Sequence, residues 1–130
     1  MSSVSVRYIV NDVDEAITFY IKNLGFELVM HPAPPFAILS QGDLRLLLSA
    51  PNNQGGGGQS MPDGTQPEPG GWNRFHLKVD DLESTVTRLK KAGAHFRNEI
   101  VEGVAGKQIL LEDPSGNPIE LFEYYERDSS

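Results

Sequence analysis

The chain has 130 residues, no cysteine, and 11 Lys and Arg against 18 Asp and Glu, for a formal net charge of −7. This length suits one domain with its own core, and the lack of cysteine excludes disulfides, thiolate metal sites and a cysteine nucleophile. The acidic balance argues against nucleic acid or an anionic membrane as the partner. The N-terminal residues lack the basic and long apolar regions of a signal peptide, and no later segment is long enough to span a bilayer, so we expect a cytoplasmic protein.

The first half of the chain predicts one helix among several strands. Alternation over residues 4–10, VSVRYIV, is typical of a half-buried strand. A helix should begin after Asp12, with Glu15 completing a capping box, and end at Gly25. FELVM and FAILSQGDLRLLLS follow as strands, the second of which is a hairpin that turns at residues 41–43. The predicted order is therefore β-α-β-β-β.

The second half of the chain repeats this pattern. VDDLESTVTRLKKAG parallels VNDVDEAITFYIKNLG, about 69 residues earlier, with a helix cap at Asp81 and a glycine stop at Gly93. A strand precedes this helix, and further strands are predicted near 95–101, 107–112 and 118–124. Internal repeats of this size set the architecture. We therefore predict an α+β fold of two tandem β-α-β-β-β modules within a single domain, covering about 4–50 and 72–126.

Residues 51–71 join the two predicted modules. This segment, PNNQGGGGQSMPDGTQPEPGG, contains seven glycines and four prolines but only one large apolar residue, Met61. Such a composition predicts a flexible linker, and the alternative is a mobile cover over a binding site. The four-glycine run is no phosphate-binding loop, because no Lys-Ser/Thr pair follows it and no strand-to-helix context surrounds it.

Three features of the sequence carry a family resemblance: the paired modules, the sequence DPSGNPIEL and a D…A…FY…LGF run formed by Asp12, Ala16, Phe19, Tyr20, Leu24, Gly25 and Phe26. Together they resemble the vicinal oxygen chelate superfamily, which includes glyoxalase I, extradiol dioxygenases, fosfomycin-resistance enzymes and bleomycin-resistance binding proteins. The resemblance extends over nearly the whole chain outside the glycine-rich segment. It implies sheets with helices outside, functional side chains on the inner face of each sheet, and a homodimer.

The resemblance also implies where the metal ligands of this superfamily would fall, namely at Ser5, Leu47, Arg74 and Glu120. Only Glu120 is a good ligand for a divalent metal. Arg74 brings a permanent positive charge to the place that a cation would occupy. We therefore expect no metal and no cofactor, and instead an ion pair between Arg74 and Glu120. The alternative is that Arg74 points elsewhere and Glu120 faces solvent.

Strand parity places a set of polar and aromatic side chains on the inner faces. The arginines among them predict a locally basic lining that would favour an anionic ligand, whereas the aromatic residues suit stacking. An alternative is that some arginines are rim residues paired with surface carboxylates. The candidate ligand-binding residues are Ser5, Arg7, Arg45, Leu47, Trp72, Arg74, His76, Glu120 and Phe122.

Three functions remain open at this point. The first is a binding protein that holds a small anionic or aromatic compound in a cleft between the modules without a metal. The second is a metal-dependent lyase, isomerase, dioxygenase or thiol transferase whose shifted ligand set includes His76 and Glu120, the candidate catalytic residues. The third is an accessory or regulatory module. In each case we expect a small-molecule ligand and a homodimer, with no nucleic acid and no membrane.

Overall fold

A computed structural model of the chain describes residues 3–53 and 55–126. Contacts divide the chain into two units, one containing the residues up to Gly71 with the turn Asp113–Asn117, the other containing Trp72–Glu112 and the residues from Pro118 onward. No helix within the described ranges is long and apolar enough to cross a membrane. In chain order the elements are β1 (Val4–Ile9), α1 (Val13–Leu24), β2 (Glu27–Ala33), β3 (Phe36–Gln41), β4 (Leu44–Ser49), β5 (Phe75–Lys78), α2 (Leu82–Lys91), β6 (His95–Phe96), β7 (Val101–Glu102), β8 (Gly106–Glu112) and β9 (Pro118–Tyr124).

The two units have the same sheet topology, and the fold is the predicted α+β arrangement of two β-α-β-β-β modules. The first sheet has the order β1-β4-β3-β2 and the second the order β5-β9-β8-β6, with β7 also paired to β8. In each sheet the first and last strands of the module run parallel. Val10 N donates to the carbonyl of Ser49, and Val79 N donates to that of Phe122, each at 2.9 Å. Leu47 and Glu120 therefore occupy equivalent positions in the two repeats.

Both helices begin where the sequence predicts. The carboxylate of Asp12 accepts a hydrogen bond from Glu15 N at 3.1 Å, and that of Asp81 accepts one from Ser84 N at the same distance. These side chains satisfy amide groups that the first helical turn leaves unpaired. At the other end of α1, Gly25 adopts a left-handed φ of 74°, which glycine accommodates without strain.

The core of each unit follows the two-residue period of its strands. In strands β3, β4, β8 and β9, buried side chains largely alternate with partly exposed ones, and the buried set lies on the face toward the helix of the same unit. Every residue of the edge strand β2 is exposed. In the first unit the buried strand residues include Tyr8, Leu46, Leu48, Ala37 and Leu39; in the second unit they include Phe75, Ile109, Leu111, Ile119 and Leu121.

The single strand predicted near 95–101 is wrong, because the structure has two short strands there, β6 and β7. Asn98 lies between them, and its side-chain oxygen accepts the Leu110 N–H at 2.9 Å. This side chain takes the place that a backbone carbonyl would hold in a continuous ladder.

The glycine-rich segment, for which the composition predicts a flexible linker, is packed at its beginning. Ser49 Oγ donates to the carbonyl of Gly56 at 2.6 Å, and Asn52 N donates to that of Gly58 at 2.9 Å. A Cβ on Gly58 would overlap the Ala50 carbonyl, so only glycine fits there. Residues 61–66 are exposed, and their mobility stays a prediction.

The turn Asp113–Asn117 is held by a hydrogen-bond network around one buried carboxylate. Asp113 Oδ1 accepts from the N–H groups of Ser115 and Asn117, each at 2.9 Å. Its Oδ2 accepts from Tyr20 Oη at 2.8 Å and from Asn117 Nδ2 at 3.0 Å. Burial, followed by the nearby Asp113 charge, raises the pKa of Tyr20 well above its ordinary value, so its hydroxyl remains a donor. Asn117 Nδ2 also donates to the Ile9 carbonyl at 2.7 Å, which ties the turn to β1.

Replacing Asp113 with alanine should lower the free energy of unfolding by roughly 3 kcal/mol, because buried donors lose a charged acceptor. Asp63→Ala is the matched control. Asp63 is an exposed turn residue whose carboxylate accepts from Thr65 N at 2.9 Å, and because solvent can replace such a bond, Asp63→Ala should have little effect. Urea denaturation of the two variants measures the difference, and equal midpoints would contradict a structural role for this carboxylate.

Candidate functional site

The candidate site lies on the face of the second sheet that α2 leaves uncovered, called here the open face of the second sheet. His76 lies directly opposite Glu120 across the parallel β5–β9 pair, and Lys78 lies opposite Phe122. The neighbouring strand residues Phe75, Ile119 and Leu121 are buried on the other side. Strand alternation therefore presents a row of polar and aromatic side chains on one surface, formed by Arg74, His76, Lys78, Glu120, Phe122 and Tyr124.

Arg74 and Glu120 form the ion pair that the sequence predicts. Arg74 Nε and Nη2 both donate to Glu120 Oε1, at 3.0 Å and 2.9 Å, and Nη1 donates to the Trp72 carbonyl at 3.1 Å. The two side chains are only 29% and 14% exposed. A carboxylate buried to this degree needs a cationic or hydrogen-bonding partner, and Arg74 provides both. The alternative in which Arg74 points away is therefore wrong.

The second oxygen of Glu120 faces His76. His76 Nε2 lies 3.9 Å from Glu120 Oε2, and the imidazole is 39% exposed. This distance is too long for a hydrogen bond, so the two groups interact only by charge when the imidazole is protonated. His76 and Glu120 are neighbours, as predicted, but in this arrangement no proton is shared between them.

Three rings form a continuous surface beside this carboxylate, called here the aromatic shelf (His76, Phe122 and Tyr124). The ring centroids of His76 and Phe122 are 5.0 Å apart, those of Phe122 and Tyr124 4.6 Å, and those of His76 and Tyr124 6.1 Å. These separations are within the range of favourable ring contacts. Gly106 on β8 makes room for the shelf, because a Cβ there would lie 2.7 Å from Phe122 Cε1.

Trp72 lies at the end of this face, and its ring contacts Arg97, a residue that the sequence analysis did not identify. The guanidinium carbon of Arg97 lies 4.9 Å from the centre of the Trp72 ring, and Arg97 Nε donates to Glu112 Oε2 at 2.8 Å. Parity along β8 could have indicated Glu112, because Leu110 lies opposite Glu120 and Glu112 is two residues further on the same face. No local pattern marks Arg97, which follows the short strand β6.

The candidate residues of the first unit lie on the face of the first sheet opposite α1. Ser5 lies opposite Arg45 and Arg7 opposite Leu47 across the β1–β4 pair. Arg45 Nη1 donates to the carbonyls of Gly42 and Leu44, at 2.9 Å and 3.2 Å, so its guanidinium is bonded to its own hairpin. A role of Arg45 in a basic lining stays a prediction.

Arg7 also has a local environment within the first unit. Its guanidinium lies against Gly57, where any added Cβ would overlap it. Arg7 thus packs on the glycine-rich segment of the same unit, while Arg74 of the second unit is neutralised by Glu120. Of the three arginines expected to make a basic lining, only Arg7 has neither a carboxylate partner nor a hydrogen bond to a nearby turn among the residues described.

The side chains at the expected metal-ligand positions do not fit a divalent metal. Ser5 and Leu47, in the first unit, supply at most one weak ligand, and in the second unit Glu120 Oε1 already binds the guanidinium of Arg74. A shifted site would have only His76 and Glu120. Across residues 3–53 and 55–126, no group of three His, Asp or Glu side chains is arranged to hold a metal. A catalytic metal site commonly uses three protein ligands, which this donor set does not supply.

Comparison with known proteins agrees with the fold. The sequence model of the glyoxalase/bleomycin resistance protein/dioxygenase superfamily matches residues 3–121. The chain therefore belongs to this superfamily, the one that its motifs resemble.

Solved structures from several bacteria are similar to the chain. A member of the same superfamily from Sphaerobacter thermophilus is 25% identical, with a TM-score of 0.75 over 95% of this chain and 97% of that one. TnmS3, an antibiotic-binding protein from Streptomyces sp. CB03234, is 23% identical, with a TM-score of 0.72 over 96% and 97%. A lactoylglutathione lyase from Agrobacterium tumefaciens is 20% identical, with a TM-score of 0.71 over 94% and 92%. The last two show that the fold is shared by a binding protein and an enzyme.

Replacing Arg74 with leucine should lower the free energy of unfolding by about 1–3 kcal/mol, because Glu120 then remains half-buried without a cation. Glu120→Leu alone should cost less, and the double variant should recover most of the loss, since no isolated charge remains. Chemical denaturation of the three variants gives the coupling energy.

The matched control is the ion pair Lys107–Glu83, whose Nζ and Oε1 atoms are 2.8 Å apart but whose glutamate is 71% exposed. The side chain of Lys107 is 18% exposed, so the two pairs differ in the exposure of the carboxylate. The same cycle with Lys107→Met and Glu83→Gln should show much weaker coupling, because solvent screens the exposed carboxylate. Equal coupling in the two cycles would show that burial of Glu120 contributes nothing.

Proposed function

We propose that this protein binds a small, planar aromatic compound on the open face of the second sheet and does so without a metal ion. The observation that carries this proposal is the aromatic shelf beside Glu120, whose charge Arg74 balances. His76 is 39% exposed, and Tyr124 also retains a large exposed area, so a flat ligand has ring surface to contact. Ligand sites typically combine such apolar surface with a few fixed polar groups.

The polar groups of this face favour an aromatic ligand over one recognised only by its negative charge. Arg74 is neutralised by Glu120, which leaves the exposed Lys78 to attract an anion on this face. Water and salt screen the attraction of a single exposed ammonium group. Aromatic contacts do not depend on that charge balance.

The enzyme alternative is less well supported by the geometry. A metal-dependent lyase, isomerase, dioxygenase or thiol transferase would need a third ligand beside His76 and Glu120, and one Glu120 oxygen is already bonded to Arg74. A metal-independent acid–base role for His76 lacks a hydrogen bond that would orient the imidazole, since Glu120 lies 3.9 Å away. The antibiotic-binding activity of TnmS3 provides a precedent for a binding role on this fold.

The cytoplasmic homodimer implied by the family resemblance is part of the same proposal. Exposed apolar side chains on the edge strand β2 support self-association, because Leu28, Val29 and Met30 are each about half exposed. An unpaired strand edge with apolar side chains commonly lies at an interface.

Titration calorimetry with 2-naphthol tests the binding proposal. We expect saturable binding that Phe122→Leu weakens about tenfold, since loss of a ring contact costs about 1.4 kcal/mol. Phe96→Leu is the control, because Phe96 is a half-buried ring of the same unit that lies beside Lys90 and outside the shelf. No binding by the wild-type protein, or equal losses in both variants, would contradict the proposal.

A further inference from the structure

Trp72 is the only tryptophan of the chain and one of its most exposed large apolar residues. The residue is 70% exposed, although one face of its ring lies over the guanidinium of Arg97. An indole with one covered face and this much exposed area presents its second face to solvent. Exposing a large ring costs free energy that a bound ligand would recover.

The cation beneath the ring is held in place. Arg97 is 17% exposed, and its Nε donates to Glu112 Oε2 at 2.8 Å. His95 Nε2 lies 3.9 Å from the other oxygen of Glu112. Carboxylate, guanidinium and indole therefore follow one another in this order, with the guanidinium carbon within cation–π distance of the ring.

The order of carboxylate, guanidinium and indole gives the exposed face of Trp72 a preference for one class of aromatic ligand. A guanidinium on one face of an indole draws π-electron density toward itself, so the opposite face becomes a better surface for an electron-rich ring. A cationic ring on that opposite face would be repelled by Arg97, which is closer to it than the compensating Glu112. The arrangement thus favours neutral, electron-rich rings such as phenols and disfavours cationic heteroaromatic rings.

Trp72 is connected to the candidate site through its backbone. Its carbonyl accepts from Arg74 Nη1 at 3.1 Å, and the same guanidinium binds Glu120. The two residues before it, Gly70 and Gly71, adopt positive φ angles of 106° and 89°, which glycine accommodates without strain.

We propose that Trp72 is a stacking residue of the same ligand site and that Arg97, fixed by Glu112, is the positioning residue that gives it a preference for electron-rich rings. This inference rests on the proposed binding function, and it adds both a second aromatic contact and a ligand class. The Trp72 indole N–H gives a single side-chain signal in a ¹H–¹⁵N correlation spectrum, which reports stacking directly.

The experiment titrates ¹⁵N-labelled protein with 2-naphthol and, separately, with the N-methylquinolinium cation. We expect 2-naphthol to shift the indole signal with the same affinity as calorimetry gives, and the cation to bind at least fivefold more weakly. Arg97→Met should reduce this preference to about twofold or less. Lys90→Met is the matched control, because it also removes one positive charge from a cation–ring contact, that with Phe96, and should leave the preference unchanged.

Arg97→Lys and Glu112→Gln guard against loss of folding in Arg97→Met. Lysine keeps the charge but lacks the planar guanidinium, so Arg97→Lys should give an intermediate preference. Glu112→Gln should weaken 2-naphthol binding, because Arg97 then loses the carboxylate that holds it in place. If 2-naphthol binds and Phe122→Leu weakens it while the indole signal stays unmoved, the inference is wrong and the proposed function stands. The inference is also wrong if the preference for 2-naphthol over the N-methylquinolinium cation is the same in Arg97→Met as in the wild type. Absence of any binding contradicts the proposed function itself.

Discussion

Glu120 places a negative charge on an inner strand where only 14% of its side chain reaches solvent, and the second unit is organised around the need to balance that charge. Arg74 balances it with two donors to a single oxygen, and the third guanidinium nitrogen fixes the Trp72 carbonyl. Because both donors use Oε1, the other oxygen remains available toward His76 and the aromatic shelf. One ion pair thus connects the Glu120 carboxylate to the backbone of Trp72 and occupies the oxygen Oε1.

The internal repeat shows that only one of the two units needs a counter-charge on its last strand. Leu47 occupies the position in the first unit that Glu120 occupies in the second, and its strand neighbour is Arg7 where that of Glu120 is His76. A leucine needs no counter-charge, so Arg7 is free to pack against Gly57 and Arg45 to bind its own hairpin. Two modules with the same backbone hydrogen bonds therefore carry different chemistry, because one residue on the last strand changes what its neighbours must compensate.

Much of this arrangement follows from the sequence, and the remainder has a common physical cause. Helix starts at Asp12 and Asp81 and the strand faces are set by short-range geometry, so capping residues and two-residue alternation predict them. Even the Arg74–Glu120 pair was predictable, because parity placed both on one face. The position of the charged end of a long side chain depends on its neighbours in the folded structure. The hydrogen bonds of Arg45 to its hairpin and the contact of Arg97 with Trp72 were therefore not predictable. The role of Asp113 as a buried acceptor for Tyr20 was hidden for the same reason, since the two residues are 93 positions apart.

We propose that the guanidinium of Arg74, and not a metal ion, holds Glu120. Elemental analysis of protein purified without chelator, after equilibration with Zn²⁺, Ni²⁺, Mn²⁺ and Fe²⁺ in turn, tests it most directly. We expect no stoichiometric metal under any of these conditions, because Glu120 is the only good ligand among the expected positions and its carboxylate is already bonded to Arg74. One tightly bound metal per chain that is lost on Glu120→Gln would contradict the account.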